Sequence, residues 1–323
     1  MAAFLMGWLF ATAATAQQFP SGEVAEKPAV DTLKYEGPPR KQDDVLLVNT
    51  RAFGKPAAEG SLRWDLRRHN EAGRWQSIST EALSASTRDG APTVVYVHGY
   101  GYETDKAARV GWAFYHALCA DLPANQRVRY IVWSWPTKAL RFRPRTDVAD
   151  KARRADEDAY RLAQLLTKIE GDGRVCVVGS ALGCRVVEGA MHLAGGGKLG
   201  EWELDQGDAR GRPRISAAFI SAAVHDDWLR EGGYHDRALA GTDRLLLINN
   251  SRDATLRRYG IVYRRGVRAL GLDGMQRPSD LGDAGTRIEQ FDAHEEIGEN
   301  HGVENYLRNA EVTRRLREFA LGK

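Results

Sequence analysis

The strongest chemical signal lies in Val175-Cys-Val-Val-Gly179-Ser180-Ala181-Leu182-Gly183-Cys184-Arg-Val-Val187. A β-branched run passes through Gly-x-x-x-Gly straight into a helical pattern. This is the context of a nucleophile elbow, a tight strand-to-helix turn that exposes one side chain. Gly179 and Gly183 are expected where neighbouring backbone passes close on both sides of the turn. Acyl transfer at such a turn needs a hydroxyl or thiol at the centre, and the centre is Ala181. Ser180 serves as nucleophile only in a shifted register, which places bulky Val178 and Leu182 where the turn needs small residues. Two blander readings compete. One is a glycine-rich turn with no chemistry. The other is a phosphate loop, which lacks its Gly-x-Gly-x-x-Gly or Walker lysine.

Two further segments carry a family resemblance. Val95-Tyr-Val-His98-Gly99-Tyr100 resembles the strand and His-Gly turn that supply half the oxyanion hole in α/β-hydrolases. Val132-Trp133-Ser134-Trp135-Pro136 resembles the Ser-Trp-Pro segment of a bacterial α/β-hydrolase family of unknown function, whose members read Gly-His-Ser-x-Gly or close to it at the elbow. The resemblance spans roughly residues 45–321 by motif order. It implies an α/β-hydrolase fold and a nucleophile–acid–histidine order along the chain.

That order points to Asp253, in the loop after Leu245-Leu-Leu-Ile-Asn249, as the acid. Asp226 and Asp227 are the alternatives, and Asp253 also reads as a cap for the helix starting at Ala254. His301, within Gly298-Glu-Asn-His301-Gly302, takes the general-base position, with His294 as the second choice. The resemblance also implies oxyanion-hole donors from the backbone N–H groups of Leu182 and Tyr100, which an alanine at position 181 leaves in place. No metal or organic cofactor is implied.

The elements that must position these residues alternate between strands and helices. Strands are expected at Val45–Thr50, Arg63–His69, Thr93–Val97, Tyr130–Trp133, Arg174–Val178, Ala217–Ala223, Leu245–Asn249 and Ile288–Asp292. Helical spacing covers Asp105–Asp121, Asp147–Glu170, Ala181–Leu193 and a single closing helix over Val303–Leu321, while Ser84–Pro92 reads as a polar connection. Crossover helices between strands imply a mostly parallel sheet of about seven or eight strands covered on both faces, with the strand ending at Val178 central. Residues 195–215 and 254–286 read as insertions, as loops or part of a small lid.

The rest of the sequence narrows the field. The chain has 323 residues, 43% hydrophobic and 28% charged, with 46 basic against 43 acidic side chains. Such a balance does not select nucleic acid or another polyanion as partner. The basic stretch Arg141, Arg143, Arg145, Arg153 and Arg154 reads as a solvated loop and helix face. Trp133 and Trp135 read as packing residues rather than a base-stacking platform. Cys119, Cys176 and Cys184 match no zinc pattern and read as small buried hydrophobes.

Phe4–Phe10 followed by Ala14-Thr15-Ala16 resembles a signal peptide cleaved before Gln17, although no Lys or Arg precedes the apolar run. Export to the periplasm or medium follows if it is cleaved, and a cytoplasmic location otherwise. No other segment approaches the roughly 20 apolar residues of a spanning helix. Residues 1–16 are thus expected to be a leader, 17–43 a flexible segment and 44–323 one domain of the α/β-hydrolase type. The expected partner is a small acyl compound, as substrate or as ligand. Three readings follow: a serine hydrolase inactivated at Ala181, a natural pseudoenzyme that binds, or an enzyme running other chemistry in the same pocket.

Overall fold

The computed structural model describes residues 37–57, 63–137, 144–205, 214–262 and 266–322. Residues 1–16, expected above to be a leader, and Gln17, Arg141 and Arg143 fall outside the described residues.

Nine strands form one sheet, β1 (Asp44–Asn49), β2 (Asp65–His69), β3 (Trp75–Ser77), β4 (Thr93–Val97), β5 (Arg129–Ser134), β6 (Val175–Ser180), β7 (Ile215–Ile220), β8 (Arg244–Asn249) and β9 (Ile288–Asp292). Their order is β3-β2-β1-β5-β4-β6-β7-β8-β9. Every pairing along β1-β5-β4-β6-β7-β8-β9 is parallel, and only the β1–β2–β3 meander is antiparallel. β6 sits between β4 and β7, so its C-terminal end opens near the middle of the sheet.

The central strands β4, β5 and β6 are buried at every position, and mostly apolar, because both faces are covered. Val95 and Val97 join the cluster made with α1 (Thr80–Thr87), α3 (Pro144–Leu166) and α4 (Gly183–Ala194). Val94 and Tyr96, one residue out of phase, join the cluster made with α2 (Thr104–Cys119), α8 (Val303–Arg308) and α9 (Ala310–Leu321). The period of two along a strand sorts its side chains between these layers. A parallel sheet with helices on both faces and a tight turn after a central strand is the α/β-hydrolase arrangement.

Several sequence expectations need correction. The sheet has nine strands rather than seven or eight, because Trp75–Ser77 pairs with β2 as a short third strand. Part of the supposed polar connection at 84–92 is helical. Ser79 caps α1 by accepting from Ala82 N, and the Ser86 and Thr87 hydroxyls bond back to carbonyls three residues earlier, which hides the helix in a polar sequence. The closing helix is two helices. Asn309 is extended (φ −88°, ψ 121°), and its side chain accepts from Val312 N at 3.0 Å to cap α9. Residues 37–43, assigned to the flexible segment, lie against α2, where the Tyr115 hydroxyl donates to Asp43 at 2.7 Å.

Within the 254–286 insertion, a turn at Leu256–Arg258 runs into α5 (Tyr259–Val262), and α6 (Leu270–Asp273) follows. The three cysteines are buried and unbridged. Among the described residues no helix is long and apolar enough to cross a membrane.

Candidate functional site

Residues 175–183 form the turn that the glycine spacing implies. Ala181 has φ 48°, a left-handed conformation that costs a residue with a Cβ roughly 1–2 kcal/mol. Its N–H continues the ladder to Ile220 O at 2.9 Å, and its carbonyl accepts from Cys184 N and Ala223 N. The two glycines are sterically required. A Cβ on Gly179 would lie 2.7 Å from Cys184 Cα, and one on Gly183 would lie within 2.6 Å of the His98 carbonyl oxygen and closer still to that of Val97. The Ser180 hydroxyl points the other way, to the buried Tyr96 hydroxyl at 3.1 Å.

The His98-Gly99-Tyr100 turn abuts this elbow. A Cβ on Gly99 would stand 3.1 Å from Ala181 Cβ. His98 is fully buried, and burial first, then the nearby Arg51 charge, lowers its pKa to about 3. Neutral, it uses both ring nitrogens. Nε2 lies 3.3 Å from the donating Trp135 N–H and 3.0 Å from Arg51, while Nδ1–H donates to Gly99 O at 2.9 Å. The Trp135 indole N–H donates to His98 O at 2.8 Å, so Trp135 braces the turn as well as packing. With the Gly99 carbonyl held against the ring, the Tyr100 N–H on the same trans peptide must point the opposite way. Leu182, at the N-cap of α4, belongs to the helix end whose first N–H groups lack intrahelical acceptors.

Asp253 and His301 are brought together across 48 residues of chain. His301 Nδ1 lies 2.7 Å from Asp253 Oδ2. Asp253 is fully buried, and its other oxygen accepts from Thr255 N and Leu256 N, both at 2.9 Å. Burial alone would raise this carboxyl. The bond and charge of His301, with bonds from Ser221 and Leu256, outweigh it and hold the group below its ordinary value. An ionised Asp253 fixes the proton on His301 Nδ1 and leaves the Nε2 lone pair available. Asp253 thus both bonds His301 and caps the turn after it.

The alternatives lie elsewhere. Asp226 bonds through its N–H to Arg268 O, and His294 pairs with Asp292 at 3.2 Å.

Sequence reasoning missed Ser221. It follows β7, is buried, has φ 50°, and its hydroxyl donates to Asp253 Oδ2 at 2.6 Å, with its oxygen 2.9 Å from His301 Nδ1. This strained serine beside a histidine invites a nucleophile reading, but it sits on the Asp253 side of the ring and outside the cavity lining. Nothing in Ile220-Ser221-Ala222 marks the role, since the signal is wholly tertiary.

Ala181, Leu182, Tyr100 and His301 line one cavity of about 330 Å³. Ile220, Leu256, Tyr259 and Val303 give it apolar walls. Asp147 and Lys151 of α3 form a polar corner, with Lys151 3.3 Å from Asp147 and the Tyr100 hydroxyl donating to Asp147. Of the basic stretch, Arg153 and Arg154 pair with Asp150 on the outer side of α3, as a solvated face would. Among the described residues no group of three or more His, Cys, Asp or Glu converges to hold a metal.

No family model matches the chain, and no curated protein matches it. Among solved structures, acyl-protein thioesterase 2 from Zea mays is similar over 70% of this chain and 92% of that one, at 17% identity and a TM-score of 0.35. Carboxylesterase CesB from Bacillus subtilis is similar over 76% and 96%, at 14% identity and a TM-score of 0.30. Likenesses this distant carry no weight for activity, and the fold class rests on the strand order and turn geometry described above.

Proposed function

We propose that the chain is an α/β-hydrolase-type protein whose cavity takes a small acyl compound and whose covalent route is closed at Ala181. One observation carries the reading. Ala181 holds the left-handed elbow conformation in a cavity shared with His301, whose ring is already bonded to the buried Asp253. The acid, the base and the backbone donors are those of a serine acyl hydrolase. What is absent is an atom to form the acyl-enzyme. In a serine protease, losing that atom costs about a million-fold in turnover. At 1.36 kcal/mol per tenfold, this is roughly 8 kcal/mol of transition-state stabilisation. Binding without turnover is the second reading, and the same missing hydroxyl favours it.

Ala181→Ser adds one oxygen to a turn that Gly179 and Gly183 already shape. The expected result is cleavage of short-chain p-nitrophenyl esters and labelling by a fluorophosphonate probe, both lost again on adding His301→Ala. If Ala181→Ser stays inert against a broad ester, thioester and amide panel, the acyl-hydrolase reading is wrong. Tight ligand binding by the unaltered chain would then favour the binding module.

A further inference from the structure

The acid–base half of the site is complete without a serine. Asp253 Oδ2 receives donors from both Ser221 and His301 Nδ1, and Oδ1 receives two backbone N–H groups. The ring is therefore held at Nδ1, and among the described residues Nε2 has no hydrogen-bond partner. His301 lines the same cavity as Ala181, whose methyl group is smaller than the hydroxymethyl of serine by one oxygen. That difference is about the size of a water oxygen.

We propose that the unaltered chain hydrolyses activated esters by a single displacement, with His301 as general base on water and no acyl-enzyme. The proposal rests on reading the cavity as an acyl site. The water oxygen bonds to the acyl carbon as its proton passes to Nε2. The carbonyl electron pair moves onto its oxygen, which faces the Leu182 and Tyr100 amides. Collapse breaks the bond to the leaving oxygen or sulfur, which takes the proton from Nε2. Ester and water become acid and alcohol or thiol, and His301 returns neutral. The substrates are esters of acidic phenols and thioesters, because water attacks more weakly than a serine alkoxide and needs a good leaving group.

A positioned base contributes about 10²–10⁴ in rate. Steady-state and stopped-flow hydrolysis of p-nitrophenyl butyrate by the unaltered protein tests this. Turnover above the buffer rate is expected, with no initial burst, no loss after fluorophosphonate treatment and about a 100-fold fall in His301→Gln. Asp253→Asn should lower it as well, with thermal melts confirming that both variants fold. Turnover at the buffer rate, turnover removed by the fluorophosphonate, or turnover unchanged in a folded His301→Gln protein would overturn the proposal. If Ala181→Ser gains esterase activity while the unaltered chain stays at the buffer rate, only single displacement fails. If both stay inert, the acyl reading fails with it.

Discussion

Gly183→Ala puts the elbow geometry under direct strain. The new Cβ would meet the His98 carbonyl oxygen at 2.6 Å and the Val97 oxygen more closely. Both are backbone atoms at the end of β4, which is hydrogen-bonded on both sides by β5 and β6, so neither can rotate away. Relief requires the His98–Tyr100 turn and the start of α4 to part by several tenths of an ångström. Overpacking of this kind costs about 1–3 kcal/mol, and a rigid backbone partner places it near the top of that range. Replacing glycine at a helix start returns at most about 1 kcal/mol through helix propensity. The net loss is therefore roughly 2 kcal/mol, a fall in Tm of roughly 3–4 °C at an unfolding entropy of about 2.1 cal/mol/K per residue over about 280 residues. Parting the two segments also separates the Tyr100 and Leu182 amides. In an Ala181→Ser background, a misplacement approaching 1 Å should cost about 100-fold in kcat. Differential scanning calorimetry and ester kinetics on the pair of proteins measure both. The control is Gly54→Ala, where a Cβ would have nothing within 4 Å and Tm should stay put. A Gly183→Ala protein that melts with its parent and keeps the activity of Ala181→Ser would refute the argument that close approach dictates this glycine.

Two more outcomes follow from the buried groups. Ser221→Ala removes one of four donors to a buried carboxylate, a charge-assisted bond worth about 1.5–3 kcal/mol. The Asp253 carboxyl should move up toward its ordinary value, read from its ¹³C shift on acid titration; an unmoved titration would show that Ser221 does not support the pair. The second outcome concerns pH. His98 is held at about 3, while an unfolded histidine titrates near 6.5. Between those values the unfolded chain binds a proton that the folded chain does not, so stability falls as the solution is acidified, by up to about 1.4 kcal/mol per pH unit. Asp253, lowered in the folded state, acts with the same sign further down, its contribution present above about pH 4 and lost below it. Urea melts at pH 7 and pH 4.5 should show the loss, and His98→Asn should make it smaller, leaving the part due to His235, which burial also holds well below its ordinary value. Equal slopes in the two proteins would sink the His98 assignment.

The parts of this site written within one continuous stretch could be read from the amino acids alone. Gly179, Ala181 and Gly183 announce their turn because only certain residue types tolerate its close approaches, and that constraint is local. The strands around β6 announce themselves because burial on both faces demands an unbroken apolar run. Asp253 and His301 were reached through the order of motifs, and the 2.7 Å between them is a fact of the fold: it depends on β8 and β9 lying side by side and on the 298–302 loop crossing their ends. Ser221 and the Trp135–His98 brace could not be found from sequence at all. A lone serine or tryptophan carries no spacing signal, and its role arises only when hydrogen bonds close across 32 or 37 residues. The two breaks in expected regularity, at α1 and at Asn309, were hidden for the opposite reason. There short polar side chains bond to their own backbone, and such local competition decides where a helix begins or ends more than the apolar period does.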